Sequence, residues 1–187
     1  MCIRDRTKKL SIGDPANQDT YMGPVVTKSA YKDFQEFCAE LKEAGTVLTG
    51  GDVLTEGDLG KGYFCPPTIA VDVPIEHRLW KHEMFVPITM IHPVKDLHEA
   101  MDLANSVNYG LTAGFYGTEE EVGWFFDNIE AGVTYANRPQ GATTGAWPGF
   151  QPFGGWKGSG ASGKNAGGLY YLPLYMHEQV QTHVRRA

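Results

Sequence analysis

The sequence is most restrictive in what it lacks. Its three cysteines, Cys2, Cys38 and Cys65, are far apart and form no Cys-x-x-Cys pair, so neither a disulfide framework nor a zinc site is predicted. Three of the six histidines are followed by glutamate, at His82-Glu83, His98-Glu99 and His177-Glu178, yet none continues into His-Glu-x-x-His, and no metal is expected. Lysine plus arginine (16) fall short of aspartate plus glutamate (22), for a net charge of -6, and no basic run is longer than Arg185-Arg186. A nucleic-acid partner and attachment to an anionic membrane surface are therefore not expected. No apolar run reaches the length of a membrane span, and the amino terminus has no apolar secretory core. These absences leave a small-molecule role in the cytoplasm.

What the chain has in excess is glycine, late and in one place. Ten of its 23 glycines lie between Gly141 and Gly168, around Gly149-Phe-Gln-Pro-Phe-Gly-Gly-Trp-Lys-Gly-Ser-Gly160. Each glycine costs backbone entropy on ordering, which excludes a helix or strand there. A flexible linker would be polar and would not carry Phe150, Phe153 and Trp156. The pattern predicts a structured loop whose glycines allow positive φ or close backbone approach to a ligand or another segment.

The rest is long enough, at 187 residues and 42% hydrophobic, to bury a core. Residues 1–9 have no periodicity and read as a non-native or disordered leader, 10–168 as the main domain, and 169–187 as a C-terminal segment. Thr27 caps a predicted helix with apolar positions Tyr31, Phe34, Phe37/Cys38 and Leu41, ended by Gly45; Cys38 falls on its core stripe. The run Tyr63 to Val73, interrupted by Pro66-Pro67, reads as an edge or bent strand. A strand at Ile88 to Val94, a helix at Leu97 to Val107, a strand at Leu111 to Tyr116, a helix at Glu119 to Ile129 and a strand at Val133 to Ala136 follow. Asp96 with Glu99, and Thr118 with Glu121, form capping boxes, and the stripes Leu97/Ala100/Met101/Ala104 and Val122/Phe125/Phe126/Ile129 give each helix one buried face. The alternation predicts an α/β fold, a parallel sheet with helices on both faces, and the glycine-rich loop follows the last strand, where such sheets bind ligands. Gly158-Ser-Gly160-Ala-Ser-Gly163 fits a dinucleotide fingerprint in letters but not in context, since it neither follows a strand directly nor opens a predicted helix.

Four pieces in order carry a family resemblance: Gly13-Asp-Pro with Met22-Gly-Pro-Val25, His82-Glu-Met-Phe-Val-Pro87, Asn108-Tyr-Gly-Leu-Thr-Ala-Gly114, and Asn137 onward to Gln151-Pro-Phe-Gly-Gly-Trp-Lys-Gly-Ser-Gly160. From Leu10 onward the chain resembles the carboxyl-terminal half of the aldehyde dehydrogenase superfamily, and its Gln-Pro-Phe-Gly-Gly form is most similar to members that oxidise glutamate semialdehyde to glutamate with NAD. The resemblance implies a catalytic-domain fragment. The family's nucleophilic cysteine and general base would lie upstream of Gly13, so no catalytic residue is assigned and the fragment alone is expected to be inactive. It implies that Glu83 accepts hydrogen bonds from the nicotinamide ribose hydroxyls and that Phe85 packs near the nicotinamide. The family's usual Phe-Gly-Pro stands here as Phe85-Val-Pro87.

For a substrate that is a small aldehyde bearing a carboxylate, successive backbone N–H groups of the loop can serve as the anion holder. Counting back from Gln151 places them at Gly145 and Ala146, the preferred pair; counting forward from Asn137 gives Gly141 and Ala142. Phe153 would pack on the aliphatic part of the substrate. After the apolar segment containing Tyr170, Tyr171, Leu174 and Tyr175, Gln179 to Val184 alternates like a strand; the family implies that it joins another subunit's sheet in a homo-oligomer, and an edge strand within the chain is the alternative. Two other readings stay open: an aldehyde dehydrogenase for a different substrate, and a non-catalytic oligomerisation module.

Overall fold

The structure, a computed structural model, describes residues 2–138, 151–160 and 164–185. It consists of two bodies, Met1–Pro93 and Val94–Ala187. Among the described residues no helix is long and apolar enough to cross a membrane.

The first body opens with a short helix, α1 (Ile3–Thr7), in a stretch where the sequence shows no periodicity. Its organising element is α2 (Lys28–Ala44). The Thr27 hydroxyl accepts the Ala30 N–H at 3.0 Å, satisfying one of the donors a first helical turn leaves open. The predicted stripe is the buried one: Phe34, Phe37, Cys38 and Leu41 all face the core, and burying each large apolar side chain stabilises the fold by about 1.5–3 kcal/mol. Gly45 ends the helix in an extended conformation, and glycine is needed there because a side-chain carbon would sit 2.5 Å from the Val71 carbonyl oxygen.

Beside α2 lies a three-stranded sheet ordered β1 (Thr46–Thr49), β2 (Thr68–Val71), β3 (Ile88–Met90). The β1–β2 pair is antiparallel, with an irregularity between Val47 and Thr49; β2–β3 is parallel, with Thr68 opposite Ile88. The sheet is thus mixed where a wholly parallel one is predicted. The connection from β1 to β2 holds only a 3-10 turn (Gly57–Lys61), so no crossover helix constrains those two strands to run parallel. Nor is β2 an edge strand: Pro66 and Pro67 stop just short of the ladder, so neither removes a ladder donor, and β2 is buried between its neighbours. Phe37, Leu41, Ala70, Val73 and Leu79 form one apolar cluster, and Phe34, Cys38 and Cys65 another; Val86 and Ile88 pack against both.

The second body contains the expected strand–helix–strand unit. β5 (Thr112–Phe115) and β6 (Val133–Ala136) pair in parallel from Thr112↔Val133 to Phe115↔Ala136, joined through α4 (Glu119–Asn128). At α4 the capping box is complete: the Thr118 hydroxyl accepts the Glu121 N–H, and Glu121 Oε2 accepts the Thr118 N–H at 2.8 Å. At α3 (Leu97–Asn105) only half of it forms. Asp96 accepts the Glu99 N–H at 2.9 Å, which holds its carboxyl below the usual range, but Glu99 reaches one residue further back, to the Lys95 N–H at 2.7 Å. Met101, Phe125, Ile129 and Ala131 make the core, with Phe115 stacked on Phe125 at 5.1 Å, while Phe126, expected on the buried stripe, is 46% exposed.

A two-residue ladder that the sequence does not signal adds to this unit: β4 (Tyr109–Gly110) runs antiparallel to β7 (Trp156–Lys157) and fastens the glycine-rich loop. The C-terminal segment carries a 3-10 turn at Leu172–Tyr175; beyond it, residues 177–185 make no ladder among the described residues, and Val180 is 88% exposed. The in-chain edge strand considered above is therefore absent from the described residues.

Candidate functional site

Two loops carry the residues with predicted roles, one in each body. In the first, chain geometry alternates between anchor and presentation. Met84 and Val86 pack against the core that contains Leu41 and Leu79, while Glu83 and Phe85 between them are exposed. The end of the loop is fixed by the Thr68 N–H donating to the Pro87 carbonyl at 2.8 Å and the Ile88 N–H donating to the Val86 carbonyl at 2.7 Å. Val86 is thus an apolar anchor. Upstream, Arg78 is ion-paired with Glu40 of α2 and lies 5.6 Å over the Phe37 ring, and His82 meets the edge of that ring at 5.3 Å.

Phe85 combines two unfavourable features. It is 84% exposed, and its φ is 53°, a left-handed conformation that costs an L-residue with a Cβ about 1–2 kcal/mol. Among the described residues this solvent-facing aromatic in strained backbone packs against almost nothing, and such strain is found at ligand-contact positions. Two residues away, Glu83 has no hydrogen-bond or ion-pair partner among the described residues. An apolar ring beside an unengaged acceptor group is what a flat heterocycle bearing neighbouring hydroxyls would need. These two predicted residues lie two positions apart, both exposed, on one loop.

In the second body the described part of the glycine-rich loop is seated on backbone. A side-chain carbon at Gly132 would overlap the Gly154 carbonyl oxygen, one at Gly160 would overlap that of Gly155, and one at Gly155 would sit 2.8 Å from the Gly110 carbonyl oxygen. These glycines therefore serve close approach. The left-handed residue of the turn is Lys157, at φ 52°. Phe153, the predicted substrate contact, exchanges both backbone hydrogen bonds with Ala166, at 2.9 and 3.0 Å, and is half-buried. Beside it, Pro152, Lys164, Asn165, Gly168, Leu169 and Tyr170 line a cavity of about 290 Å3. Gly145 and Ala146, like the alternative pair Gly141 and Ala142, lie outside the described residues, as does the second half of Gly158–Gly163.

Asn137, immediately after β6, has a role the sequence does not disclose. At φ 48° its side-chain amide accepts the Gly117 N–H at 3.0 Å and donates to the Gly117 carbonyl at 2.9 Å, fixing the point at which the chain leaves the sheet. Asparagine tolerates that backbone better than most residues, so an asparagine just past a strand was the available signal.

The thiols show what this site does not contain. Cys38 and Cys65 are 1% and 0% exposed, and burial pushes both from 9.0 up to about 11, which keeps them protonated and inert as nucleophiles at neutral pH. Cys2 is exposed, ahead of α1. Among the described residues no group of three or more His, Cys, Asp or Glu could hold a metal ion.

Residues 2–180 match the aldehyde dehydrogenase family, and the chain belongs to it. It is 40% identical over 175 residues to 1-pyrroline-5-carboxylate dehydrogenase of Geobacillus sp. strain WCH70, covering 93% of this chain and 32% of that protein. Among solved structures it is similar to 1-pyrroline-5-carboxylate dehydrogenase from Thermus with bound NAD (TM-score 0.81, 38% identity, 91% of this chain and 32% of the other). It is also similar to proline utilization A from Bdellovibrio bacteriovorus (TM-score 0.82, 37% identity, 93% and 18%). The chain thus spans about a third of the length of the curated relatives it matches.

Proposed function

We propose that this chain supplies cofactor and substrate contacts to an NAD-dependent aldehyde dehydrogenase that oxidises glutamate semialdehyde, the open form of 1-pyrroline-5-carboxylate, to glutamate in proline degradation in the cytoplasm. The observation that carries the reading is the loop at Glu83–Phe85, a strained, outward aromatic beside an unengaged carboxylate, in a chain whose relatives bear that enzyme's name. When bound, the nicotinamide supplies a hydride acceptor. The chain's own residues bind and orient: Glu83 accepts from the ribose hydroxyls, Phe85 covers one side of the nicotinamide, and Phe153 lies along the aliphatic part of the aldehyde. Backbone N–H groups at Gly145 and Ala146 hold the substrate carboxylate, with no arginine or lysine required. The 187 residues alone form no NADH, because two of the three thiols are buried and protonated and Cys2 matches no nucleophile context.

The finer architecture belongs to the same proposal. Residues 10–168 form part of a catalytic domain, and residues 169–187 reach a second subunit, the exposed Val180 and Val184 entering that subunit's sheet. The other readings, a different aldehyde or a non-catalytic oligomerisation module, lack the support that relatives' names give the first.

The test uses an enzyme of the relatives' full length carrying this sequence, assayed with glutamate semialdehyde and with an uncharged aldehyde of similar length. Gly145→Val should cost the charged substrate about 10- to 100-fold in kcat/KM through lost charge-assisted hydrogen bonds, and the uncharged one little. Gly141→Val tests the alternative pair. Equal losses for both aldehydes at both positions would remove the carboxylate from the assignment.

A further inference from the structure

We infer that Lys157 is a positioning residue that sets the seat of the substrate loop through a three-way staple with Glu130 and Asn105. The inference rests on the substrate role proposed above for the glycine-rich loop.

The first observation is conformational. Lys157 sits at φ 52° in a turn with Gly155 and Gly158 on either side, where glycine would adopt the same backbone without strain. A lysine in that backbone must offset the strain through its side chain. The second observation is where that side chain goes. Its Nζ donates to the Asn105 carbonyl at 2.6 Å and pairs with Glu130 Oε2 at 2.6 Å, and the lysine side chain is only 23% exposed. The Asn105 carbonyl is at the last residue of α3, an end whose open carbonyls favour a cation.

Asn105 completes the arrangement. Its Oδ1 accepts the Glu130 N–H at 2.9 Å and its Nδ2 donates to the Asn128 carbonyl at 2.9 Å, so the end of α3 is fixed to the connection leaving α4. One ammonium therefore ties three segments: the end of α3, the α4–β6 connection and the turn of the glycine-rich loop. Around it the turn closes on itself and on β4. The Ser159 N–H donates to the Trp156 carbonyl at 3.0 Å, the Gly158 N–H to the Asn108 carbonyl at 2.9 Å, and the Ser159 hydroxyl accepts the Gly110 N–H at 3.2 Å. Phe153 enters this turn two residues before Gly155, so a shift of the turn moves the aromatic face offered to the substrate.

The experiment is steady-state kinetics in the full-length enzyme with Lys157→Met, Lys157→Arg and Glu130→Gln. Lys157→Met should raise KM for the aldehyde about 10-fold, the signature of lost uniform substrate binding, and leave kcat and the KM for NAD within about twofold. Lys157→Arg, which keeps a cation able to meet both oxygens, should restore most of the aldehyde KM. Glu130→Gln, which leaves the lysine and its carbonyl contact in place, should raise it partially. A purely structural lysine would lower the active fraction, seen as reduced kcat at unchanged KM, and that result overturns the inference. So does a Lys157→Met enzyme with wild-type kinetics, or an arginine variant no better than methionine. If the methionine variant does not accumulate, Glu130→Gln decides by the same KM-against-kcat criterion. Wild-type enzyme without preference for glutamate semialdehyde would instead refute the proposed substrate, and the variant-to-wild-type KM ratio for the aldehyde it does oxidise would still judge the staple.

Discussion

Replacing Phe85 by alanine and, separately, by glycine tests whether the loop's strain serves a ligand. The ring is 84% exposed, so the area it hides in this chain is about one-sixth of a phenylalanine's roughly 200 Å2. At about 25 cal/mol/Å2, its loss costs below about 1 kcal/mol. Phe85→Ala keeps a Cβ at φ 53° and should melt close to wild type. Phe85→Gly releases about 1–2 kcal/mol of left-handed strain and gives back about 0.5–1 kcal/mol as glycine's extra unfolded-state entropy. Its net gain is up to about 1 kcal/mol, a rise in Tm of about 1–4 °C for a chain of this size. Function should move the other way: losing an aromatic contact worth about 0.5–1.5 kcal/mol raises KM for NAD roughly 2- to 10-fold in both variants. Thermal melts of the 187-residue chain and NAD titrations of the full-length enzyme read the two arms. A fall in Tm of more than about 5 °C for Phe85→Ala would show that the ring is packed, and an unchanged KM for NAD in both variants would sink the cofactor contact.

Glu83→Gln keeps shape and removes charge at an exposed position, so it should leave folding intact while lowering turnover in the full-length enzyme; unchanged kinetics would count against Glu83 as the ribose acceptor. The buried thiols predict an alkaline limit. With Cys38 and Cys65 raised by burial from 9.0 to about 11, the folded chain holds protons that the unfolded chain releases, so their contribution is complete below pH 9 and disappears as pH rises toward 11. The loss is on the order of 2–3 kcal/mol for a thiol, before the coupling between the two. Urea midpoints at pH 8 and pH 11 should therefore separate more for the wild-type chain than for Cys38→Ala/Cys65→Ala, and equal separations would refute the assignment.

The helices were legible because each repeats over several turns and announces its start. Thr27, Asp96 and Thr118 all accept from a backbone N–H three residues on, and the stripe Phe34, Phe37, Cys38 and Leu41 is the buried face of α2. Sheet pairing was legible only where a helix joins the strands, as in β5–α4–β6, because a crossover constrains direction and a long irregular connection such as residues 50–67 does not. Two-residue strands like β4 and β7 have no period to detect. Of the site, Glu83 and Phe85 came from family resemblance, although the alternation of Glu83 and Phe85 with Met84 and Val86 is itself a period-2 signal of one face in and one out. Lys157 and Glu130 gave no signal, since their meeting depends on a fold that brings residues 27 positions apart to one point.

Backbone strain separates the residues kept for their side chains from those kept for their backbone. Four non-glycine residues hold positive φ among the described residues: Asp72, Phe85, Asn137 and Lys157. Asp72 and Asn137 are of types that occupy this region at low cost, and they stand directly after β2 and β6, where the chain must leave a strand. Phe85 and Lys157 are of types that do not, and neither is explained by a turn requirement, since glycine would meet the same requirement without strain. In each, the side chain must do something that outweighs about 1–2 kcal/mol of strain. For Lys157 the compensation is visible within the chain, in the contacts to Asn105 and Glu130. For Phe85 the described residues bury almost none of the ring, so no compensating contact is visible among them, and the proposed cofactor contact rests on that exposed, strained position.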